Sequence, residues 1–356
     1  MTNSYESRSR DTSAPPLRFS VIIPALNEER VIGRCLEHLR RLEFPPEEFE
    51  VILVDNGSSD RTMDLAQAAS SGLQFRILER KKVTISALRN LGAREARGEY
   101  LAFLDADCLA PRPWLTEAAR LLEREAAGVV GAPYSIPADS SWVGRIWSGH
   151  QETKLGKVAY VPGGDFLIRR EQFLEIGGFG ESIQTNEDYE LCQRALRAGI
   201  SVEGHGEISV CHLGTPQTLL DFYRKQRWHG RHVFRVFLQG LPRLHNFKSV
   251  AYACSVLLCI VGVIAGISLA AFGMSRAVLL ISAASLIGLP ALFGAGSVWR
   301  RKAWPDLPGL TVLFLVFGLA RVACLIGLGT DRIRSQKTAA VSAPTDALAK
   351  AAAPDR

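Results

Sequence analysis

The sequence predicts an α/β fold: a Rossmann-like, mostly parallel sheet with flanking helices, followed by C-terminal transmembrane helices. Three observations predict it. Short apolar runs alternate with stretches of helical periodicity between Phe19 and Asp107, the pattern of right-handed βαβ units. Three of those runs end in polar clusters, at Asn27 and Glu28, at Asp55 to Asp60, and at Asp105 and Asp107. Residues 251–329 are almost purely apolar, which accounts for much of the 47% hydrophobic content of the 356-residue chain.

The elements follow in order. Residues 19–24 form a buried parallel strand closed by Pro24. Asn27 is placed to cap the next helix, with Glu28 and Glu29 in its first turn. Val31, Ile32, Cys35, Leu36 and Leu39 then recur at helical spacing. Residues 50–54 make a second strand, with Ser59 or Asp60 capping the helix after it. A third strand over 75–78, a third helix over 85–97 and a fourth strand over 99–104 complete the regular part. A helix over 114–125, a strand near 129–131, a mixed helical stretch over 140–157, an amphipathic helix over 187–198 and a late strand over 208–211 follow.

These elements divide the chain into a loose polar tail (1–18), an α/β domain (19–215), a basic amphipathic interfacial segment (216–248), a transmembrane region (249–330) and a second loose tail (331–356). The formal net charge is +6, with much of the excess between Arg224 and Lys248. In that segment Phe222, Tyr223, Trp228, Phe234 and Phe237 mix with Arg224, Lys225, Arg227, Arg231 and Arg235. That composition fits an anionic membrane surface better than nucleic acid, for which no helix-turn-helix or RRM pattern is present. The seven cysteines show neither a CxxC pair nor zinc spacing and read as single thiols. Met1 to Pro16 carries no apolar signal-peptide core, so the α/β domain is expected in the cytoplasm, on a multi-pass inner-membrane protein.

Three apolar spans, 251–272, 277–298 and 309–329, approach the ~20 residues that cross a bilayer as a helix. The third holds Arg321, which costs roughly 2.5–3.5 kcal/mol at a span centre unless it pairs with a polar group. Arg300-Arg301-Lys302 favours the cytoplasm, as do Arg332, Arg334 and Lys337. Three crossings would put those two clusters on opposite sides, so the count stands at two or three.

The polar clusters sit where ligands bind such sheets, beyond the carboxyl ends of the strands. Asp105 and Asp107, one residue apart at a strand end, can hold a divalent ion and a ribose together. Oxygen ligands there suit Mg²⁺ or Mn²⁺. Alone, such a pair is also an ordinary acidic turn. Asp55 can accept a hydrogen bond from a base or ribose, or simply hold its own turn, and Pro24, Ala25 and Glu28 offer a similar choice. Glu187-Asp188 can supply a general base or merely an acidic first turn. His212 can ligate a metal or serve as a hydrogen-bonded structural histidine. A P-loop NTPase would need GxxxxGK[ST] and a dehydrogenase GxGxxG after the first strand, and neither pattern is found where it is required.

Six segments in order resemble the family 2 glycosyltransferases, which have the GT-A fold: Val21-Ile-Ile-Pro-Ala-Leu-Asn-Glu-Glu29, Val54-Asp-Asn-Gly-Ser-Ser-Asp60, Arg89-Asn-Leu-Gly-Ala93, Gly98-Glu-Tyr-Leu-Ala-Phe-Leu-Asp-Ala-Asp107, Gly177-Gly-Phe179 and Glu187-Asp188. The resemblance implies a UDP- or GDP-linked sugar donor, hexosyl transfer with inversion, and Mg²⁺ or Mn²⁺ as cofactor. By matching position, Pro24, Ala25, Glu28 and Asp55 would hold the nucleoside. Asp105 would touch the ribose or diphosphate, Arg89 the diphosphate, and Asp107 the metal with His212 beside it. Asp188, with Glu187 as the alternative, would be the base. Gly163, Gly164, Asp165, Arg227 and Trp228 are expected on the acceptor side. Processive members carry QxxRW before their channel helices. Here Gln226-Arg227-Trp228 lacks the spacer, which points to single-sugar transfer to a lipid-linked or membrane-associated acceptor. The competing readings are a polysaccharide synthase subunit and a non-catalytic membrane scaffold on the same fold.

Overall fold

The computed structural model describes residues 16–124, 128–151, 154–183, 186–239 and 244–341, with side chains described outside 231–247 and 328–341. The first half contains β1 (Phe19–Ala25), α1 (Ile32–Arg40), β2 (Phe49–Asp55), α2 (Thr62–Ala69), β3 (Gln74–Glu79), α3 (Ile85–Glu95), β4 (Tyr100–Leu104) and β5 (Cys108–Leu109). Next come α4 (Trp114–Leu122), β6 (Val129–Gly131), α5 (Trp142–His150), β7 (Gly156–Lys157), β8 (Asp165–Arg169), α6 (Arg170–Glu175), α7 (Glu187–Arg197), β9 (Val202–Gly204) and β10 (Cys211–His212). Four long helices close the chain: α8 (Leu219–Gln239), α9 (Leu244–Ala271), α10 (Ala277–Arg301) and α11 (Leu307–Val341).

The chain forms two compact units. The first comprises residues up to Ser140 together with 151–215. It holds an eight-stranded sheet in the order β3-β2-β1-β4-β8-β6-β9-β7, and β5 with β10 makes a separate two-stranded ribbon. β3, β2, β1 and β4 are parallel, and β8 is antiparallel to both β4 and β6. Alternation along the strands sends side chains to two cores. Val21, Ile23, Val51 and Leu53 pack with α1 and α4 on one face. Ile22, Ile52, Val54, Leu101 and Phe103 pack with α3 and α7 on the other. A buried polar network ties the amino ends of the strands: Glu50, fully buried, accepts from Ser20, Arg76 and Arg97. Burial alone would raise the Glu50 carboxyl, but the bonds from Arg97 and Ser20 outweigh it and hold the group below its ordinary range.

The switch in strand order places β2 and β4 on opposite sides of β1, so a crevice opens beyond Ala25 and Leu104. Local details differ from expectation. Asn27 does not cap α1. It sits at φ +58°, and its side-chain amide oxygen accepts from the Ser59 backbone N–H, clamping two loops together. The strand expected over 208–211 is a short 3-10 turn followed by the two-residue β10, because Ile208 turns inward to the core.

The second unit comprises residues 141–150 and 216 onward. The α5 segment, read from sequence as part of the α/β domain, belongs here: Val143 packs with Phe222 and Leu313, alongside Ile146 and Trp147. Three helical stretches are long and apolar enough to cross a membrane: Lys248–Ala271, Ala277–Arg301 and Trp304–Gly327. The third is the packed one, with 44% of its most apolar window buried against 17% and 11% for the others. Arg321 finds its polar partner there. Its Nη1 donates to the Gln226 carbonyl at 2.5 Å, and its guanidinium lies 4.5 Å from the Phe317 ring. Phe222, Gln226 and Gly230 recur every four residues on one face of α8 and turn toward α11. The expected interfacial helix therefore already has one face occupied, leaving Arg227 and Trp228 exposed. Phe234, Phe237, Arg231 and Arg235 lie outside the described side chains. α11 continues as helix to Val341, past the 331 boundary expected for the second tail.

Candidate active site

The site is built at the carboxyl ends of β1, β2 and β4. β4 delivers Asp105 and Asp107 into the loop that follows it, and α3 delivers Arg89 from below. Arg89 is 2% exposed and bridges two carboxylates, Asp105 at 2.7 Å and Glu187 at 2.9 Å. Its guanidinium also lies 5.2 Å from the Phe179 ring. Burial opposes the charge, but Asp105 and Glu187 more than compensate and hold Arg89 firmly protonated. The bridge joins the β4 loop to the first turn of α7, with Arg89 and Glu187 98 residues apart in sequence.

Glycines make room for this arrangement. A Cβ on Gly163 would come within 2.8 Å of Arg89 Nη1. One on Gly164 would collide with the Asp105 carboxylate and approach the Tyr134 hydroxyl at 2.7 Å. The pair expected on the acceptor side is thus spent on close packing against Arg89 and Asp105. Asp165 departs further: it is fully buried, and one carboxylate oxygen accepts from the Trp114 indole at 3.1 Å. Burial pushes its carboxyl well above the usual range, and the side chain sits in the core.

Glu187 and Asp188 are adjacent but differ in their commitments. Glu187 is locked to Arg89. Asp188 accepts the Gly163 N–H at 3.2 Å and the Tyr189 N–H at 2.7 Å, and has no cation bonded to it among the described residues. Burial, then the neighbouring Glu187 charge, raises its carboxyl to about 6.

The other edge of the site is the β5–β10 ribbon, which pairs His212 with Cys108 and sets His212 Nε2 3.4 Å from Asp107 Oδ2. Asp107, Cys108 and His212 each offer one donor atom, all within 4.8 Å of one another. Gly214 lies against this group, where a Cβ would overlap Asp107 Oδ2 and approach His212 at 2.7 Å. Burial, followed by the Asp105 and Asp107 charges, pushes the Cys108 thiol up.

Tyr134 joins the two edges and has no signal in the sequence. Its ring stacks on His212 with centroids 4.8 Å apart. Its hydroxyl accepts from the Gly164 N–H at 3.0 Å and lies 3.4 Å from Asp105 Oδ2. Burial keeps it a neutral phenol. Gly214 was legible only as the glycine two residues after His212.

A cavity of about 450 Å³ opens beside Asp107 and is lined by Asn27, Glu28, Glu29, Arg30, Val31, Asp60, Leu213 and Gly214. Burial, then the charges of Asp107, Asp105 and Asp60, raises Glu28 to about 7. Pro24 and Ala25 end β1, both buried. Asp55, 3% exposed, spends its oxygens on the Gly57 and Ser58 amides and the Ser58 hydroxyl, and Ser58 in turn receives the Asn27 N–H. Arg227 and Trp228 lie in the second unit on α8.

Two family models match the chain: glycosyl transferase family 2 over residues 20–177 and glycosyl transferase family group 2 over residues 100–295. The glycosyltransferase AglE of Haloferax volcanii is 27% identical over 205 residues, covering 55% of this chain and 67% of that protein. The beta-monoglucosyldiacylglycerol synthase of Trichormus variabilis is 27% identical over 223 residues, covering 59% of this chain. The match spans only 47% of the synthase, about half its length. Among solved structures, the mannosyltransferase PcManGT of Pyrobaculum calidifontis, in complex with GDP-Man and Mn²⁺, superposes with a TM-score of 0.54 at 17% identity. It covers 87% of this chain and 90% of that one, and supports the same fold. With one of the models matching more than half of its length, and with a GT-A-like sheet carrying its polar residues at the strand ends, this chain belongs to the family 2 glycosyltransferases.

Proposed function

We propose that the chain transfers a single hexose, with inversion, from a UDP- or GDP-linked donor to a lipid-linked or membrane-associated acceptor. The observation that carries the reading is the division of labour around Arg89. It occupies Asp105 and Glu187 and leaves the adjacent Asp188, with its raised carboxyl, as the base. The nucleoside lies in the cavity beside Glu28, over Pro24 and Ala25. Asp55 contributes by holding loop 55–60 in place beneath it.

Asp107 and His212 fit a divalent ion: a carboxylate oxygen and an imidazole nitrogen converge, and Gly214 keeps the approach clear. Mg²⁺ or Mn²⁺ held there would neutralise charge on the departing diphosphate. The chain's own groups do the rest. Asp105, fixed by Arg89 and Tyr134, orients the ribose and diphosphate side of the donor. Asp188 accepts the proton of the acceptor hydroxyl as that oxygen forms its bond to the anomeric carbon and the bond to the diphosphate oxygen breaks. Attack opposite the leaving group inverts the anomeric centre.

Three helices of spanning length in the same chain support a bilayer-resident acceptor and a membrane location, and the basic Arg300-Arg301-Lys302 loop supports an inner-membrane orientation with the catalytic unit in the cytoplasm. The named lipid activity of the Trichormus variabilis relative points the same way. The test is to reconstitute the full chain in anionic liposomes with radiolabelled nucleotide sugars and follow label into the organic phase. Single-sugar lipid products, formed with UDP- or GDP-linked donor, are expected. Label found only in water-soluble glycans, or in long polymers, would overturn the acceptor assignment.

A further inference from the structure

Cys108 reads in the sequence as an isolated buried thiol, yet the fold sets it beside the proposed metal ligands. β5 and β10 are antiparallel with Cys108 directly opposite His212, so the two side chains share one face of the ribbon. The Cys108 thiol donates toward Asp107 Oδ1 at 3.9 Å, so the sulfur points at the carboxylate rather than away from it. The sulfur, one Asp107 oxygen and one His212 nitrogen all lie within 4.8 Å of one another. Bonds of about 2.0 Å to nitrogen and oxygen and about 2.3 Å to sulfur around a tetrahedral ion need donors roughly 3.3–3.5 Å apart, within reach of small side-chain rotations.

We propose that Cys108 is a third ligand at the Asp107–His212 pair, so that this site captures thiophilic divalent ions, Zn²⁺ or Cd²⁺, in preference to Mg²⁺ or Mn²⁺. The inference rests on the metal role proposed for Asp107 and His212. Hard ions use the oxygen and nitrogen donors and leave the thiol protonated. A soft ion replaces the thiol proton: the Sγ–H bond is lost, an Sγ–metal bond forms, and the proton passes to solvent, with no change of oxidation state. Cys108 is fully buried while Asp107 and His212 are part-exposed, so the ion enters from their side. A Cys-His-Asp set of three leaves one tetrahedral position for water or a diphosphate oxygen. Zn²⁺ bound this way displaces Mn²⁺ and arrests transfer.

The experiment uses metal-free full-length protein in detergent, titrated with Co²⁺ and followed by absorption spectroscopy. A sulfur-to-Co²⁺ charge-transfer band is expected in the wild type and in Cys35→Ser, and is expected to vanish in Cys108→Ser and Cys108→Ala. Mn²⁺ displacement, read by electron paramagnetic resonance, should require at least about tenfold more Zn²⁺ in either Cys108 variant, the scale of effect when a metal site loses a supporting group. Using two variants guards against misfolding of one, and nucleotide binding checks the fold of both. Absence of the band in the wild type, or its survival in both Cys108 variants, overturns the proposal. Asp107→Ala separates the two layers. If it binds Mn²⁺ as the wild type does, the metal site itself is misplaced. If it loses Mn²⁺ while the wild type shows no sulfur band, only the role of Cys108 fails.

Discussion

Replacing Arg89 by methionine keeps most of the side-chain volume and removes the charge that holds Asp105 and Glu187. Removing one partner of a buried ion pair costs about 3–5 kcal/mol, because the other charge is left uncompensated. Here two carboxylates lose their cation, but their side chains are 24% and 13% exposed, so both retain some water. We therefore expect the low end, about 3 kcal/mol. For a unit of this size that corresponds to a fall in melting temperature of roughly 6–12 °C. The assay is thermal unfolding of the full chain, with hydrogen exchange reporting on β4, β8 and α7. Arg89→Lys retains the charge but has no planar fork to span both partners and should fall between the wild type and Arg89→Met. A methionine variant that melts within about 2 °C of the wild type would refute the bridging role.

Two further outcomes follow from close packing and buried charge. Gly164→Ala forces a Cβ onto a carboxylate that Arg89 prevents from retreating, and should cost about 1–3 kcal/mol and weaken donor binding, measurable by calorimetry of both. Glu50→Gln should destabilise by about 3 kcal/mol at neutral pH. Because the folded Glu50 carboxyl is held below its unfolded value, its stabilisation is present above the unfolded value and lost as pH falls through the folded one, so acid unfolding curves of variant and wild type should converge at low pH.

How much of this was legible depends on sequence distance. Asp105 and Asp107 could be placed because an apolar strand runs straight into them, and the alternation of strands and helices fixes which end of the sheet they occupy. That Asp107 meets His212 was suggested only by the family resemblance and could not be read from spacing or periodicity. The two are joined by a two-residue ribbon, too short to leave a period, and Ile208 turns inward just before it. Tyr134 was missed for the same reason: its stack on His212 and its bond to Gly164 arise from the fold alone. Gly163 and Gly164 stood out as glycines, but only the Arg89 bridge shows what their missing side chains make room for. The membership of α5 in the second unit was hidden because it depends on Phe222 and Leu313, far along the chain. Arg321, which looked expensive in an apolar span, is explained by a backbone carbonyl of α8 that no hydropathy pattern reveals.

The central claim is that Asp188, rather than Glu187, takes the acceptor proton. The most direct test is the pH dependence of single-turnover transfer in the wild type, Asp188→Asn and Glu187→Gln, with donor saturating. Asp188 must be ionised to act, and its carboxyl is raised to about 6, so wild-type transfer should fall as pH drops through that value. Asp188→Asn should lose a factor of about 10²–10⁴, with donor affinity kept and the acidic limb gone. Glu187→Gln should loosen Arg89 and weaken donor binding while retaining the limb, moved to lower pH because the Glu187 charge no longer raises Asp188. An Asp188→Asn enzyme that transfers within about tenfold of the wild type and keeps the same acidic limb would contradict the account.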